Sequence, residues 1–151
     1  MKDIQATIAT YGWMVMRINA DARGPGFAYT IGLEQTLSHP EIIVVGLSMD
    51  IAHGVLNDAG ADIRRGETFI AGRTYSNVLD TYDVTFRVVP EYQFSAYLGH
   101  GCRFYEDRPF RALQLIYPNR DGRWPWDPEA ADAFRDVQPV LADTGVPDWA
   151  S

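Results

Sequence analysis

The chain has 151 residues, of which 46% are hydrophobic and 13% aromatic, and a formal net charge of -7. That length fits one domain with one core, and that composition excludes a disordered chain. The acidic balance excludes a nucleic-acid polymer as partner, because the longest basic run, Arg64-Arg65, is too short to replace phosphate counterions.

Cys102 is the single cysteine, so neither an intramolecular disulfide nor a cysteine metal cage can form. No Cys-His motif surrounds it, which leaves a free thiol as the reading. The first residues, MKDIQATIATYGW, lack the apolar core of a signal peptide, and no stretch reaches the roughly 18 apolar residues of a membrane span. A cytoplasmic protein of bacterial or phage origin, with no membrane contact, is expected.

In chain order, Asp3 to Thr10 predicts a short helix with Asp3 as N-cap, Ile4 and Ile8 on one face, and a stop at Tyr11-Gly12. Trp13 to Ile18 reads as a strand, and NADARGPG over Asn19 to Gly26 as a turn cluster. Phe27 to Leu47 follows as the centre of the chain. Its first half, FAYTIGL, alternates large apolar with small or polar residues. Its second half, Ile42 to Val45, is a β-branched run that predicts a strand buried on both faces. A polar connection over Glu34 to Pro40 joins the two. Gly32, inside a strand pattern, marks a bulge or a close backbone approach.

Ser48 predicts an N-cap for a helix running to about Arg65, with Ile51, Val55, Leu56 and Ala59 as its apolar stripe and Gly60 as an interruption. Thr68 to Ala71 and Tyr82 to Val89 read as strands. In the second, Val84, Phe86 and Val88 form a buried face, with Asp83, Thr85 and Arg87 on a wet one. Phe94, Tyr97 and Leu98 have helical spacing before a break at Gly99-His100-Gly101. Phe110 to Tyr117 reads as a strand, Pro118 to Gly122 as a turn, and Pro128 to Val137 as a short helix. The domain covers 1–127, and 128–151 is a helical or irregular tail packed on it or trailing from it.

The residues that could carry chemistry are scattered. His39, His53 and His100 do not have local zinc spacing, so a metal is not expected, although His39, Glu41 and His53 could converge through space. Tyr29 and Thr30 are either a backbone-bonded hydroxyl pair or a pocket wall. Glu41 is a strand-end ion-pair partner or, if buried, an acid or base. Gln114, within an apolar strand, and Asn57 brace backbone or read a ligand. Trp124 and Trp126 form a lid over the core or a stacking surface, and are expected to fold back near Tyr29 and Gln114. No nucleophile elbow or paired-carboxylate motif is present.

Together Tyr11-Gly12-Trp13, Phe27 to Leu33, His39-Pro40-Glu41, Gly46-Leu47, Leu56-Asn57, Gly66, Leu113-Gln114 to Pro118 and Gly122 to Asp127 resemble the bacterial domain-of-unknown-function family 4262 (DUF4262). Asn119 departs from that pattern, which favours aspartate there, so a role that needs a carboxylate at that place is lost unless Asp121 supplies it. The family implies no settled activity. The order of strands also resembles the opening of flavin-reductase-like split barrels. That resemblance implies a homodimer binding flavin mononucleotide (FMN), with Thr30 as a phosphate-site hydroxyl and Arg64, Arg65 or Arg73 as its base.

The expected fold is α+β, a mainly antiparallel, partly closed split β-barrel with outer helices. The expected function is binding of a small molecule, a nucleotide or flavin-like planar ligand, through Tyr29, Thr30, His39, Glu41, Asn57, Gln114, Trp124 and Trp126. The alternatives are an enzyme with a flavin or a His/Glu site, and an inhibitor or immunity-type interaction module.

Overall fold

The structure, a computed structural model, describes residues 2–79, 81–106 and 108–143. Helix α1, Lys2–Tyr11, leads into strands β1, Met14–Ile18, and β2, Phe27–Ile31. The short helix α2, Leu33–Leu37, connects β2 to β3, Glu41–Val45. Helix α3, Met49–Arg64, precedes β4, Thr74–Tyr75, and β5, Val84–Val88. Helices α4, Phe94–Tyr97, and α5, Gly99–Tyr105, come before β6, Ala112–Ile116, and α6, Asp132–Val137.

The strands form one six-stranded sheet in the order β1-β2-β3-β6-β5-β4. Neighbours are antiparallel except the central pair, β3 and β6, which run parallel with Ile42 opposite Leu113. The mixed α+β class and the mainly antiparallel pairing are as expected, but the barrel is not. The sheet is open and ends on β1 and β4. Inserting β6 beside β3 places a parallel pair at the centre, and helices cover both faces where a barrel would close on itself.

All five residues of β3 are buried, as the β-branched run predicts. Alternation sends Ile42 and Val44 to a core shared with Ala52, Val55, Leu56 and Ala59 of α3. Ile43 and Val45 face the opposite core, built with Ile4 and Ile8 of α1, Phe94 of α4 and Tyr105 of α5. Burying each such aliphatic side chain stabilises the fold by about 1.5–3 kcal/mol.

Ser48 caps α3 as expected, its hydroxyl accepting from the Ile51 N–H at 3.3 Å. Gly60 interrupts the helical pattern because the Trp13 indole packs against it: a Cβ there would stand 2.4 Å from the ring. Asp3 lies inside the first turn of α1, not at its cap. Thr68 to Ala71 is not a strand; the edge strand is Thr74–Tyr75. Gly99 and Gly101 begin α5 where a break was expected. In β5 the period-two pattern fails at two positions: Thr85 is fully buried and Val88 is 58% exposed. The Thr85 hydroxyl donates to the Arg73 carbonyl at 2.7 Å, so it needs no water. Val88 lies beyond the reach of β4, which pairs only with Val84 and Thr85.

Two buried glutamines fasten the chain after α6 to the end of β6. Gln138 accepts from the Tyr117 N–H at 3.1 Å and donates to the Tyr117 carbonyl at 2.9 Å, imitating a strand partner. Gln114 donates to the Pro139 carbonyl at 2.8 Å and accepts from the Leu141 N–H at 2.9 Å. Leu141 is buried in the core beneath. Most of the expected tail is therefore packed structure; its residues 144–151 lie outside the described ones. Gln138→Leu strands a buried N–H and a buried C=O and is expected to cost about 2–4 kcal/mol. Urea unfolding measures this; a loss below about 0.5 kcal/mol would mean the clamp contributes nothing net.

Candidate functional site

Polar chemistry gathers at both ends of the central parallel pair. At the start of β3, Glu41 is 1% exposed. Strand β2 diverges there, and α2 fills the gap with its N-terminus aimed at the Glu41 carboxylate. Gly32, Leu33 and Glu34 donate their N–H groups to it at 3.1, 3.1 and 3.2 Å. The Thr30 hydroxyl donates at 2.8 Å, and the Tyr105 hydroxyl completes the set.

Burial pushes Glu41 up to about 7, against the pull of Tyr105, Thr30 and the backbone donors, which favour the anion. Thr30 in turn accepts from the Ile42 N–H at 2.9 Å, and Tyr105 from the Gln35 N–H at 3.2 Å. Burial, then the neighbouring Glu41, raise the Tyr105 phenol. With both carboxylate oxygens surrounded by donors, the arrangement locks α2 into the β2–β3 connection and leaves no free lone pair for a substrate.

His39 is held as firmly. Its Nδ1–H donates to the Pro40 carbonyl at 2.8 Å and its Nε2 accepts from the Phe69 N–H at 3.0 Å. Burial lowers its basicity, and protonation would set Nε2–H against the Phe69 N–H. Its neutral form with Nδ1 protonated is thus built into the fold. His39 borders a hollow of about 530 Å³ with Phe69, Ile70, Val88 and Arg111. Arg111 is occupied there by the Glu34 carboxylate at 2.7 Å.

The remaining expected site residues do not meet. Tyr29 lies in the α1/α5 core, its hydroxyl accepting from the His100 N–H at 3.1 Å; burial pushes it up to about 12. Thr30 points to the opposite side of β2. Asn57 accepts from the Trp13 indole at 3.1 Å and contacts His53 at 3.3 Å on α3. Gln114 serves the clamp. Trp124 and Trp126 stack on each other, 5.6 Å apart and 13° from parallel, with Pro125 buried between them. Arg135 donates to the Pro125 carbonyl at 2.9 Å and the Asp127 carbonyl at 2.6 Å, tying this segment to α6, while the neighbours expected for it are engaged elsewhere, Tyr29 with His100 and Gln114 with Pro139 and Leu141. His39, Glu41 and His53 form no cluster: among the described residues, no group of three or more His, Cys, Asp and Glu is placed to hold a metal ion. Among the same residues, no helix is long and apolar enough to cross a membrane.

At the opposite end, β3 and β6 both deliver their carboxyl ends into a cleft of about 1210 Å³. Gly46 and Leu47, directly after β3, and Tyr117 and Pro118, directly after β6, form its floor. One wall is the outer stripe of α3, Asp50, Ile51, Gly54 and Asp58; the other is α6, through Phe134 and Val137. Ile51 is 52% exposed and Val137 44%. Ile51, expected in the apolar stripe facing the core, thus faces the cleft. Arg120 and Tyr82 stand on the rim, joined by the Tyr82 hydroxyl donating to the Arg120 carbonyl at 3.3 Å. The Tyr117 hydroxyl is turned inward, donating to the Val45 carbonyl at 2.8 Å.

Residues 7–131 match the sequence model of DUF4262, a domain of unknown function. The chain belongs to the DUF4262 family. No curated protein and no solved structure matches it significantly. Two of the segments that resemble the family, Phe27 to Leu33 and His39-Pro40-Glu41, converge on the buried Glu41 lock, whereas the cleft takes from those segments mainly Gly46, Leu47, Tyr117 and Pro118. Tyr105, Ile51, Asp58, Arg120 and Phe134 were not singled out in the sequence as parts of either place. The sequence did single out Gly46-Leu47 and the segment ending at Tyr117-Pro118, through the family resemblance, and Ile51, as part of an apolar stripe, but nothing in it joined them into one place.

Proposed function

We propose that this DUF4262 domain binds a small organic molecule in the cleft at the carboxyl ends of β3 and β6. One observation carries this reading: a hollow of about 1210 Å³ lies outside the ends of the only parallel pair among the described strands, and its walls expose Ile51 and Val137. In open sheets with parallel strands, loops diverge at the carboxyl ends and leave a crevice that ligands fill. Apolar walls with a few charged groups at the rim are the usual make-up of such sites. The nucleotide or flavin reading finds less support in this cleft, where two carboxylates, Asp50 and Asp58, face one guanidinium, Arg120. A phosphate would meet more repulsion than attraction there. FMN, expected by analogy with split barrels, loses that analogy with the open sheet.

Gly54 gives a test that separates binding from stability. It is exposed on α3, lines the cleft, and a Cβ there would meet nothing within 4 Å. Gly54→Leu should raise helix stability by about 0.8 kcal/mol while filling the cleft. The neutral apolar dye Nile red is expected to fluoresce with the unaltered protein and much less with Gly54→Leu, while the melting temperature holds or rises. Equal dye binding by both proteins would remove the cleft from consideration.

A further inference from the structure

We infer that the cleft selects an organic cation, an amine carried on an apolar or aromatic body; this rests on the cleft being the binding site. The wall formed by α3 presents Asp50, Gly54 and Asp58 at successive intervals of four residues, hence along one stripe. The two carboxylates stand about 12 Å apart along the helix axis, with the glycine leaving clearance between them. Neither forms an ion pair: the ion pairs among the described residues are Arg65–Asp62, Arg111–Glu34, Arg123–Asp127, Arg123–Glu129 and Arg135–Asp132.

Between and opposite these carboxylates the cleft offers Ile51, Val137 and the rings of Tyr82 and Phe134. An ammonium group gains from a carboxylate and from an aromatic face together, while its hydrocarbon body covers the exposed aliphatic side chains. Arg120 is the one cationic side chain in the lining, so carboxylates outnumber it. The chain's formal charge of -7 adds a field that concentrates cations and repels anions. A polyphosphate or a fatty-acid carboxylate meets the reverse of each condition.

Three probes with the same phenyl-ethyl body test this: 2-phenylethylamine, 2-phenylethanol and 3-phenylpropanoate. Titration calorimetry or ligand-observed NMR on the full chain should rank the amine first, about fivefold to tenfold tighter than the alcohol, with the carboxylate weakest. Raising the salt should shrink that preference. The Asp50→Asn, Asp58→Asn double variant should lose amine affinity until amine and alcohol bind alike; both residues are exposed, so the fold should survive, with only the favourable charge of Asp50 in the first turn of α3 given up. Gly54→Leu should block all three probes.

The outcomes separate the two ideas. If Gly54→Leu blocks the probes but amine and alcohol bind equally, or the carboxylate binds best, the cleft stands and the cation inference fails. If the amine preference survives in the double variant, Asp50 and Asp58 are not its source and the inference fails. If no probe binds, or all bind Gly54→Leu undiminished, the cleft reading falls and the cation inference with it.

Discussion

Glu41→Leu is expected to leave little folded protein. The substitution removes the acceptor for the N–H groups of Gly32, Leu33 and Glu34 and for the hydroxyls of Thr30 and Tyr105. Each buried donor left without a partner costs roughly 1–3 kcal/mol. Their sum rivals the 5–15 kcal/mol that typically holds a domain together. Circular dichroism and urea unfolding read the loss directly. A stable, cooperative Glu41→Leu protein would show that the donors find other partners.

Glu41→Gln isolates the charge. Burial lifts the folded Glu41 from 4.5 to about 7, so the folded state binds this proton more tightly than the unfolded chain. The stability from that proton is fully present below about 4.5 and is lost as pH rises through about 7. The unfolding free energy of the unaltered protein minus that of Glu41→Gln, the gap between them, should therefore fall between about pH 4.5 and about pH 7. His39 titrates in both proteins and cancels from the comparison. A gap that rises with pH would mean the surrounding donors favour the anion more than burial opposes it. Proton uptake below about 7 also requires one hydroxyl, of Thr30 or Tyr105, to turn from donor to acceptor. The near-ultraviolet signal of Tyr105 should follow that transition.

Gly32→Val is the second severe change. Gly32 has φ +114°, and a Cβ there would lie 2.8 Å from the Gly12 carbonyl oxygen and 2.9 Å from the Ile8 side chain. A β-branched residue cannot hold that backbone without strain, and the nearest obstacle is itself backbone. Strain and overlap together should cost about 2–6 kcal/mol. The same residue donates to Glu41, so the lock should loosen as well. Gly24→Ala is the control, since Gly24 meets nothing within 4 Å. A melting temperature unchanged by Gly32→Val would deny the close approach.

Elements whose pattern is local were readable in the sequence. The run Ile42 to Val45 could only be a buried strand, and Ser48 followed by an apolar stripe could only begin a helix. The close backbone approach at Gly32 was also legible, because glycine inside a strand pattern has few other causes. Helix α2 was not, since Glu34 to Pro40 reads as polar connection. It forms because a carboxylate later in the chain, Glu41, satisfies its first N–H groups. Thr85 deceived the alternation because its hydroxyl finds a carbonyl, Arg73, that no spacing rule connects to it. The open sheet was hidden for a similar reason: nothing in Phe110 to Tyr117 says that it will lie parallel to β3. The cleft depends on that same pairing, so the residues around it carried no shared signal before the strands were placed.

The central pairing also sets a timetable. Strands β1, β2 and β3 are neighbours in the sheet in the order in which they are made. The other partner of β3 is β6, whose Leu113 pairs with Ile42. At the usual pace of synthesis, that interval is on the order of several seconds. Strand β5 emerges earlier but belongs on the far side of β6, so it must wait without pairing to β3. Throughout, a nascent chain on the ribosome presents the bare side of an almost wholly aliphatic strand. A chaperone that holds unpaired strand edges is expected to engage the first half of this chain in that interval, before the cleft can exist.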